Sequence, residues 1–249
     1  MNAAAAVFVL APALALGSFL NVIAARVPAR RSLVRPPSSC GSCDREILWR
    51  DNIPVLSYLL LRGRCRHCSA QISPLYPAVE AGTAVLAVAC VVVFGPTAYA
   101  ALAVGFCALL VTLSVIDAQH RIVPNRIVLP AAAVVLVART LLDPSPEWLF
   151  GAIGAAGFLF LAVLAYPKGL GMGDVKLALL LGAMLGATVS MALFIGFLAA
   201  LVPAVVLFAR HGSAARKMAV PLVPFLSVGA VIALFFGERL LDGYLTLFS

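Results

Sequence analysis

The sequence predicts an all-α integral membrane protein with about eight transmembrane helices and a cytoplasmic zinc-binding loop domain. The chain has 249 residues, of which 63% are hydrophobic and 11% charged, and its mean hydropathy is +1.08. Its apolar runs approach the ~20 residues that cross a bilayer. The one long polar stretch, residues 26–76, contains two closely spaced cysteine pairs. These observations predict a first helix over 1–25, the loop domain over 26–76 and a seven-helix membrane domain over 77–249.

Proline, glycine and charged residues separate the apolar runs and predict where each helix begins and ends. The first run has no basic residues before it and is long enough to span, which indicates a retained helix instead of a cleavable signal. The sixth and seventh runs are almost continuous, and residues 186–188 are the predicted turn between them. The runs predict helices near residues 3–25, 77–95, 97–116, 127–142, 147–166, 175–187, 188–209 and 219–237.

The distribution of charge predicts the orientation in the membrane. The formal net charge is +8, and nine of the 18 Lys and Arg residues lie between Arg26 and Arg66. The connectors "FGPTAY" and "DPSPEW" contain no basic residue. By the positive-inside rule the loop is cytoplasmic, and with eight spans both termini face outward. No basic segment is interleaved with aromatic residues, so the expected partner is the lipid bilayer and not nucleic acid.

Two cysteine pairs in the loop form a metal-binding pattern. "CGSC" and "CRHC" are separated by 21 residues, slightly more than in most zinc ribbons. A reducing cytoplasm favours a tetrahedral Zn²⁺ site over two disulfides, and four protein ligands leave no open position, so the metal is structural. His67 is more simply a solvent-facing neighbour than a ligand. The predicted ligands are Cys40, Cys43, Cys65 and Cys68.

The acidic residues point to a catalytic site. Only ten exist, and seven of them fall in the loop domain, an external turn or the C-terminal tail. Glu80, Asp117 and Asp174 remain. Asp117 ends the third predicted span and Asp174 opens the sixth, so both lie at the cytoplasmic edge of the membrane. Either alone would simply mark a membrane boundary.

Two carboxylates at one depth on separate helices form the arrangement that an aspartic protease needs. Groups a few ångströms apart share one proton, so that one acts as base towards water and the other as acid towards the peptide carbonyl. Gly171 and Gly173 precede Asp174 and would let an extended substrate strand approach closely, because glycine has no Cβ. A flexible turn is the simpler role for these glycines.

Other kinds of function have less support in the sequence. No HExxH motif indicates a metalloprotease, and no serine pairs with a histidine or lysine as a nucleophile. Asp117 and His120 could bind a metal together with Asp174, as a minor alternative. An ion-coupled transporter would place acids near the membrane midplane, which is not the pattern here. A non-catalytic assembly scaffold that docks through its zinc loop remains an alternative.

Six motifs in order along the chain resemble the bacterial type IV prepilin peptidases, also called leader peptidase and N-methyltransferase. They run from about residue 17 to residue 180. The GxGD element is short by itself, but with an upstream aspartate and the paired cysteines it becomes specific. The motifs are "GSFLNV", "CGSC", "WRDNIP", "LLLRGRCRHCSAQISPLYPAVE", "DAQHRIVPN" and "GMGDVKL".

The resemblance implies an eight-span bundle in the bacterial inner membrane that cuts the basic leader from prepilins and type II secretion pseudopilins at the cytoplasmic face. Asp117 and Asp174 match the family's catalytic acids, and the four loop cysteines match its metal ligands. The resemblance also implies methylation of the new N-terminus with S-adenosylmethionine. The residues that bind this methyl donor stay unassigned, and the loop and its neighbouring helices, including Glu80, are the region to search.

Overall fold

The structure is a computed structural model that describes residues 3–167, 170–212 and 220–246. Its regular structure in these ranges is helical, with two isolated antiparallel bridges in the cysteine loop and no β-strand. Short 3-10 turns lie at Trp49–Asp51 and Gly186–Thr188. The α-helices are α1 (Ala3–Arg26), α2 (Leu56–Leu60), α3 (Leu75–Phe94), α4 (Ala98–His120), α5 (Asn125–Leu142), α6 (Glu147–Ala165), α7 (Met172–Leu185), α8 (Val189–His211) and α9 (Val223–Thr246).

The predicted all-α membrane fold is confirmed. Seven segments of the described chain are long and apolar enough to cross a membrane, and one of them, Met172–His211, has 40 residues. This segment contains both α7 and α8, joined by the 3-10 turn at Gly186–Thr188. Gly186 adopts φ +57°, which is a left-handed conformation that suits glycine. The helix is therefore interrupted where the sequence predicted a turn, and the described chain contains eight α-helices of 14 residues or more besides the short α2.

Several helices extend beyond their predicted ends, three of them by three residues or more. α4 continues to His120 instead of residue 116, α7 begins at Met172 instead of residue 175, and α9 continues to Thr246 instead of residue 237. Hydropathy marks only the apolar part of a helix, whereas backbone hydrogen bonding continues through the polar turns at its ends. As a result, Asp117 and Asp174 lie inside the terminal turns of helices and not beside them.

The chain forms two compact units, one up to Thr112 and one from Leu113 onward. In the first unit α1 packs along α3. A Cβ on Gly17 would lie 2.7 Å from the Cα of Glu80, so the two backbones touch. Ala13, Ala84 and Ala87 form a small core that Val104 of α4 joins. Small side chains let membrane helices approach this closely.

The second unit is also built on glycine contacts. α7 packs against α5 and α6, and α8 packs against α9. Gly151 of α6 meets Gly182 of α7 backbone to backbone, and a Cβ on Gly182 would collide with the Gly151 carbonyl oxygen. Gly196 and Gly229 make a similar contact between α8 and α9. These contacts fix α7 against α6, and with it the helix turn that contains Asp174.

We expect Gly182→Ala to destabilise the second unit by about 1–3 kcal/mol, the usual cost of overpacking, because the added methyl group meets backbone that cannot rotate away. Thermal unfolding in detergent measures this change. Gly154→Ala in α6 is the matched control, since a Cβ there meets no atom within 4 Å. Equal unfolding temperatures for the two variants would contradict the packing role.

Candidate active site and metal centre

The four predicted metal ligands come together in the loop. The sulfur atoms of Cys40, Cys43, Cys65 and Cys68 all lie within 4.8 Å of one another. The Sγ atoms of Cys40 and Cys68 are 3.7 Å apart. A tetrahedral zinc site with Zn–S bonds of about 2.3 Å has sulfur atoms about 3.8 Å apart. The donor set and its spacing therefore fit zinc, which would hold the two halves of the loop together.

Both cysteine pairs lie on turns of the same kind. The Asp44 N–H donates to the Cys40 carbonyl, and the Ser69 N–H donates to the Cys65 carbonyl. Asp44 and Ser69 follow the second cysteine of their pair and have φ values of +53° and +59°. A left-handed residue at this position reverses the chain after the second thiol. Each turn thus presents both of its sulfur atoms to one side.

Backbone hydrogen bonds in the first turn favour the thiolate form of Cys40. Hydrogen bonding from the backbone N–H of Ser42, and after it that of Cys43, lowers the pKa of the Cys40 thiol to about 6. Zinc binds thiolates and displaces their protons, so a lowered pKa favours metal binding near neutral pH. His67 is not part of the cluster; its Nδ1 lies 3.1 Å from a guanidinium nitrogen of Arg45.

Asp117 is a buried carboxylate in the last turn of α4, with 7% of its surface exposed. Its Oδ2 accepts a hydrogen bond from the backbone N–H of Val223, the first residue of α9, at 3.1 Å. The first N–H groups of a helix have no partner within the helix. One turn further into the bundle, Ser114 of α4 donates to the Ser227 hydroxyl of α9 at 2.9 Å. These two contacts hold Asp117 against the start of α9.

Asp174 lies in the first turn of α7 and is held by its own helix start. Its Oδ2 accepts the N–H of Gly171 at 3.1 Å. Its N–H in turn donates to the Gly171 carbonyl at 3.0 Å. The pair resembles a capping box in which the carboxylate bonds back to the residue before the helix. This arrangement orients the Asp174 side chain.

The loop after α4, which follows Asp117, packs on the start of α7, which contains Asp174. A Cβ on Gly173 would lie 3.0 Å from Cγ2 of Val123, so the loop lies directly on the start of α7. Lys176 donates to the side-chain carbonyl of Asn125 at 2.8 Å, which ties α7 to α5. Each acid uses Oδ2 for its hydrogen bond, and within the described ranges no protein donor occupies either Oδ1.

The other residues that the sequence analysis considered do not join Asp117 and Asp174 in one site. His120 is exposed at the end of α4, and the described residues contain no group of Asp117, His120 and Asp174 that could hold a metal. Glu80 lies in the other unit, where its Oε2 accepts the N–H of Val55 at 2.7 Å. Glu147 is one of the seven acids that the sequence analysis sets aside, because it falls in a predicted external turn. Its Oε1 accepts the Ala187 N–H at 2.9 Å and closes the turn between α7 and α8, a long-range contact with no sequence signal.

Comparison with known proteins identifies the family. Residues 12–94 match the bacterial peptidase A24 N-terminal domain, and residues 104–209 match the type IV leader peptidase family. A prepilin leader peptidase/N-methyltransferase of Bacillus subtilis is 36% identical over 93% of this chain and 94% of its own length. The chain belongs to the type IV leader peptidase family. It is therefore a membrane peptidase, as predicted, and the transporter and scaffold alternatives have no support.

Other leader peptidases match with similar coverage. The Burkholderia pseudomallei (strain 1026b) protein of the same name is 34% identical over 92% of this chain and 85% of its own length. The corresponding Pseudomonas aeruginosa protein is 32% identical over 93% of this chain and 90% of its own length. No solved structure gives a significant match.

Removal of one cysteine ligand should abolish metal binding. We expect the purified chain to carry a single zinc ion and Cys43→Ser to lose it, because three thiolates leave the tetrahedral site incomplete. Mass spectrometry of the metal content measures both proteins. Cys90→Ala, which changes a buried cysteine of α3 outside the cluster, should keep the zinc. Full zinc content in Cys43→Ser would mean that the cluster is not the site.

Proposed function

We propose that this leader peptidase removes the basic leader peptide from type IV prepilins and pseudopilins, with Asp117 and Asp174 as its catalytic pair. The proposal rests on two anchored carboxylates in one compact unit, where no donor among the described residues bonds to Oδ1 of either. Prepilins as substrates come from relatives named prepilin leader peptidase/N-methyltransferase, and pseudopilins come from the family resemblance of the sequence. The residues Asp117 and Asp174 come from the sequence motifs.

The two aspartates divide the work of peptide hydrolysis. The ionised carboxylate removes a proton from a water molecule, whose oxygen then attacks the scissile carbonyl carbon. The protonated carboxyl donates a hydrogen bond to the carbonyl oxygen, where negative charge develops. When the C–N bond breaks, the leaving amine takes a proton from the pair. The backbone N–H groups of Val223 and Gly171 keep each carboxyl group oriented throughout.

Gly171 and Gly173 form the proposed approach for the substrate strand. Gly171 is exposed, and a Cβ there would make only ordinary contacts, the nearest at 3.6 Å from Oδ2 of Asp174. At Gly173 a side chain would also crowd Val123, which lies directly against it. An extended strand can therefore pass closest to the pair at Gly171. The contact between Gly173 and Val123 keeps the loop after α4 in position.

The proposed function also includes a methylation activity and a structural zinc ion. The second activity is methylation of the new N-terminal amine with S-adenosylmethionine, which rests on the names of the relatives and has no assigned residues. Zn²⁺ at the four cysteines is structural: Cys40, Cys43, Cys65 and Cys68 hold it and leave no position for water or substrate. Bound zinc supplies a crosslink between the two turns of the loop.

The protein is proposed to lie in the bacterial inner membrane with its cysteine loop and catalytic pair on the cytoplasmic side. The basic residues concentrate in residues 26–66, and the α5–α6 connector contains none. The positive-inside rule places the first on the cytoplasmic side and the second outside. Prepilin leaders are basic and remain on the cytoplasmic side, where the active site would meet them.

Replacement of either aspartate should stop cleavage. We expect Asp117→Asn and Asp174→Asn each to lower the rate of leader removal by roughly 10²–10⁴-fold, the range that acid–base catalysis supplies. Near neutral pH an amide neither takes a proton from the attacking water nor gives one to the leaving amine. The assay follows a prepilin-like peptide with a basic leader and an apolar helix, in lipid, by mass spectrometry. Asp143→Asn, in the exposed α5–α6 connector, is the matched control and should cleave normally.

Zinc content and unfolding temperature of both variants should equal those of the unsubstituted chain, which separates loss of chemistry from loss of fold. A pre-cleaved peptide with labelled S-adenosylmethionine then tests methylation separately. Normal cleavage by either aspartate variant would reject the pair.

Single cysteines should report the orientation. We expect Val34→Cys in the loop to react with a membrane-impermeant maleimide only after spheroplasts are permeabilised, and Pro144→Cys in the α5–α6 connector to react in intact spheroplasts. The unsubstituted chain gives the background from its own cysteines. The opposite pattern would invert the topology and move the active site to the outer face.

A further inference from the structure

The short helix α2 presents an apolar face that no described residue covers. Leu56, Leu59 and Leu60 are 48%, 64% and 72% exposed, and their spacing of three and four residues places them on one side. Ser57, on the other side, is buried and hydrogen-bonds to the Ile53 N–H and the Arg50 carbonyl. Trp49, in the 3-10 turn before α2, is 82% exposed. Four large apolar side chains close together in sequence are thus solvent-facing.

The position of α2 is set by Glu80. The Val55 N–H, directly before α2, donates to the Glu80 carboxylate at 2.7 Å. Glu80 is five residues into α3, which places its Cα about 7.5 Å along the helix axis from the start. Even with the side chain leaning back towards the N-terminus, Val55 lies beside the first turns of α3 and not beyond its end.

That position coincides with the edge of the membrane. Leu75–Phe94 is a candidate span of 20 residues, about 30 Å long, which matches the hydrocarbon thickness. The first turns of α3 therefore cross the boundary between hydrocarbon and headgroups. Val55 adopts φ +61°, which is unfavourable for a β-branched residue, so the hydrogen bond to Glu80 holds a strained backbone. The chain around α2 is tied to the membrane boundary by this contact.

The charge around α2 indicates which surface it meets. Residues 27–74 contain eight arginines and three acids, which sum to a charge of +5 before the cysteines are counted. One of the acids, Asp51, receives three hydrogen bonds from Arg66. These bonds and the guanidinium charge hold the pKa of Asp51 below its usual range. Arg50, Arg62 and Arg64 flank the leucine face and are exposed. A basic surface with an apolar face complements anionic phospholipids.

We propose that α2 is an interfacial helix whose leucine face, together with Trp49, inserts into the headgroup region of the surrounding bilayer, with the flanking arginines on anionic lipid headgroups. Tryptophan is enriched at this depth because its ring is apolar and its N–H is polar. The hydrogen bond from the Val55 N–H to Glu80, here called the clamp, sets the depth of α2 in the membrane. This arrangement holds the metal-binding loop flat against the membrane, and it does not depend on the proposed peptidase chemistry.

Fluorescence of Trp49 tests the insertion directly. The chain has two tryptophans, so Trp148→Phe leaves Trp49 as the sole reporter. The full chain is reconstituted in phosphatidylcholine–phosphatidylglycerol vesicles in which the phosphatidylcholine is brominated either near the headgroup or near the chain end. We expect the shallow bromines to quench Trp49 at least about twofold more than the deep ones, as for an interfacial tryptophan. Leu59→Ser/Leu60→Ser should reduce this quenching and shift the emission to longer wavelength.

Val34→Ser is the matched control, because Val34 is 82% exposed in the same loop but outside α2. It should leave the quenching unchanged, and zinc content should be equal in all variants. The proposal would be overturned if aqueous iodide quenched the Trp49 emission and neither brominated lipid did. Trp49 and the loop around it would then be exposed to water. Short-wavelength emission that neither lipid nor iodide quenches would also overturn it, in favour of a protein partner or second copy.

Two further variants test the clamp and the arginines. Glu80→Leu removes the acceptor for the Val55 N–H and should abolish the preference for shallow quenching, whereas Glu80→Gln keeps an acceptor and should retain it. Unchanged quenching in Glu80→Leu would reject the clamp. In the chain with Trp49 as its sole tryptophan, quenching by the shallow bromines should rise as the phosphatidylglycerol fraction of the vesicles increases. The same chain with Arg50→Gln/Arg62→Gln/Arg64→Gln should show no such rise. An equal rise in both would reject the contact of the arginines with headgroups.

Discussion

The structure depends on one type of interaction: a carboxylate that accepts a backbone N–H where helical hydrogen bonding is interrupted. A helix start or a helix break leaves N–H groups without a helical partner, and an acceptor from the protein both satisfies such a group and fixes its position. Four of the ten acidic residues provide one. The pairs are Glu80 with Val55, Glu147 with Ala187, Asp117 with Val223, and Asp174 with Gly171. The same contacts that complete the backbone also orient the acids available for chemistry.

Within each unit, close contacts at glycine residues fix the positions of helices that carry these acids. Where Gly182 meets Gly151, two helices touch through their backbones, and neither can rotate without a collision. α7 is therefore held on α6, and the contact between Gly173 and Val123 brings the loop after α4 onto its start. Acid–base catalysis needs carboxyl groups held within hydrogen-bonding reach of one water molecule. In the second unit, small residues and capped helix ends hold in place the two carboxyl groups that we propose as the catalytic pair.

In the first unit, a loop domain of about 50 residues keeps a defined shape beside a membrane. A segment of this length rarely builds its own core. Here the cysteine cluster connects its two turns, and Glu80 connects it to α3. The apolar side chains that a soluble domain would bury remain exposed on α2. A bilayer is the solvent in which that exposure is stable.

The sequence by itself determined the all-α membrane fold, the turn near Gly186, the four-cysteine cluster and membership of the leader peptidases. Each of these is a local pattern: an apolar run, a glycine in a break, or two thiols three positions apart. It also singled out Asp117 and Asp174 by elimination among few acids. Only the tertiary structure decided that these acids lie within helical turns and which N–H groups hold them. It likewise assigned Glu80 and Glu147 to Val55 and Ala187, because contacts between residues 25 and 40 positions apart leave no periodic signal in a sequence.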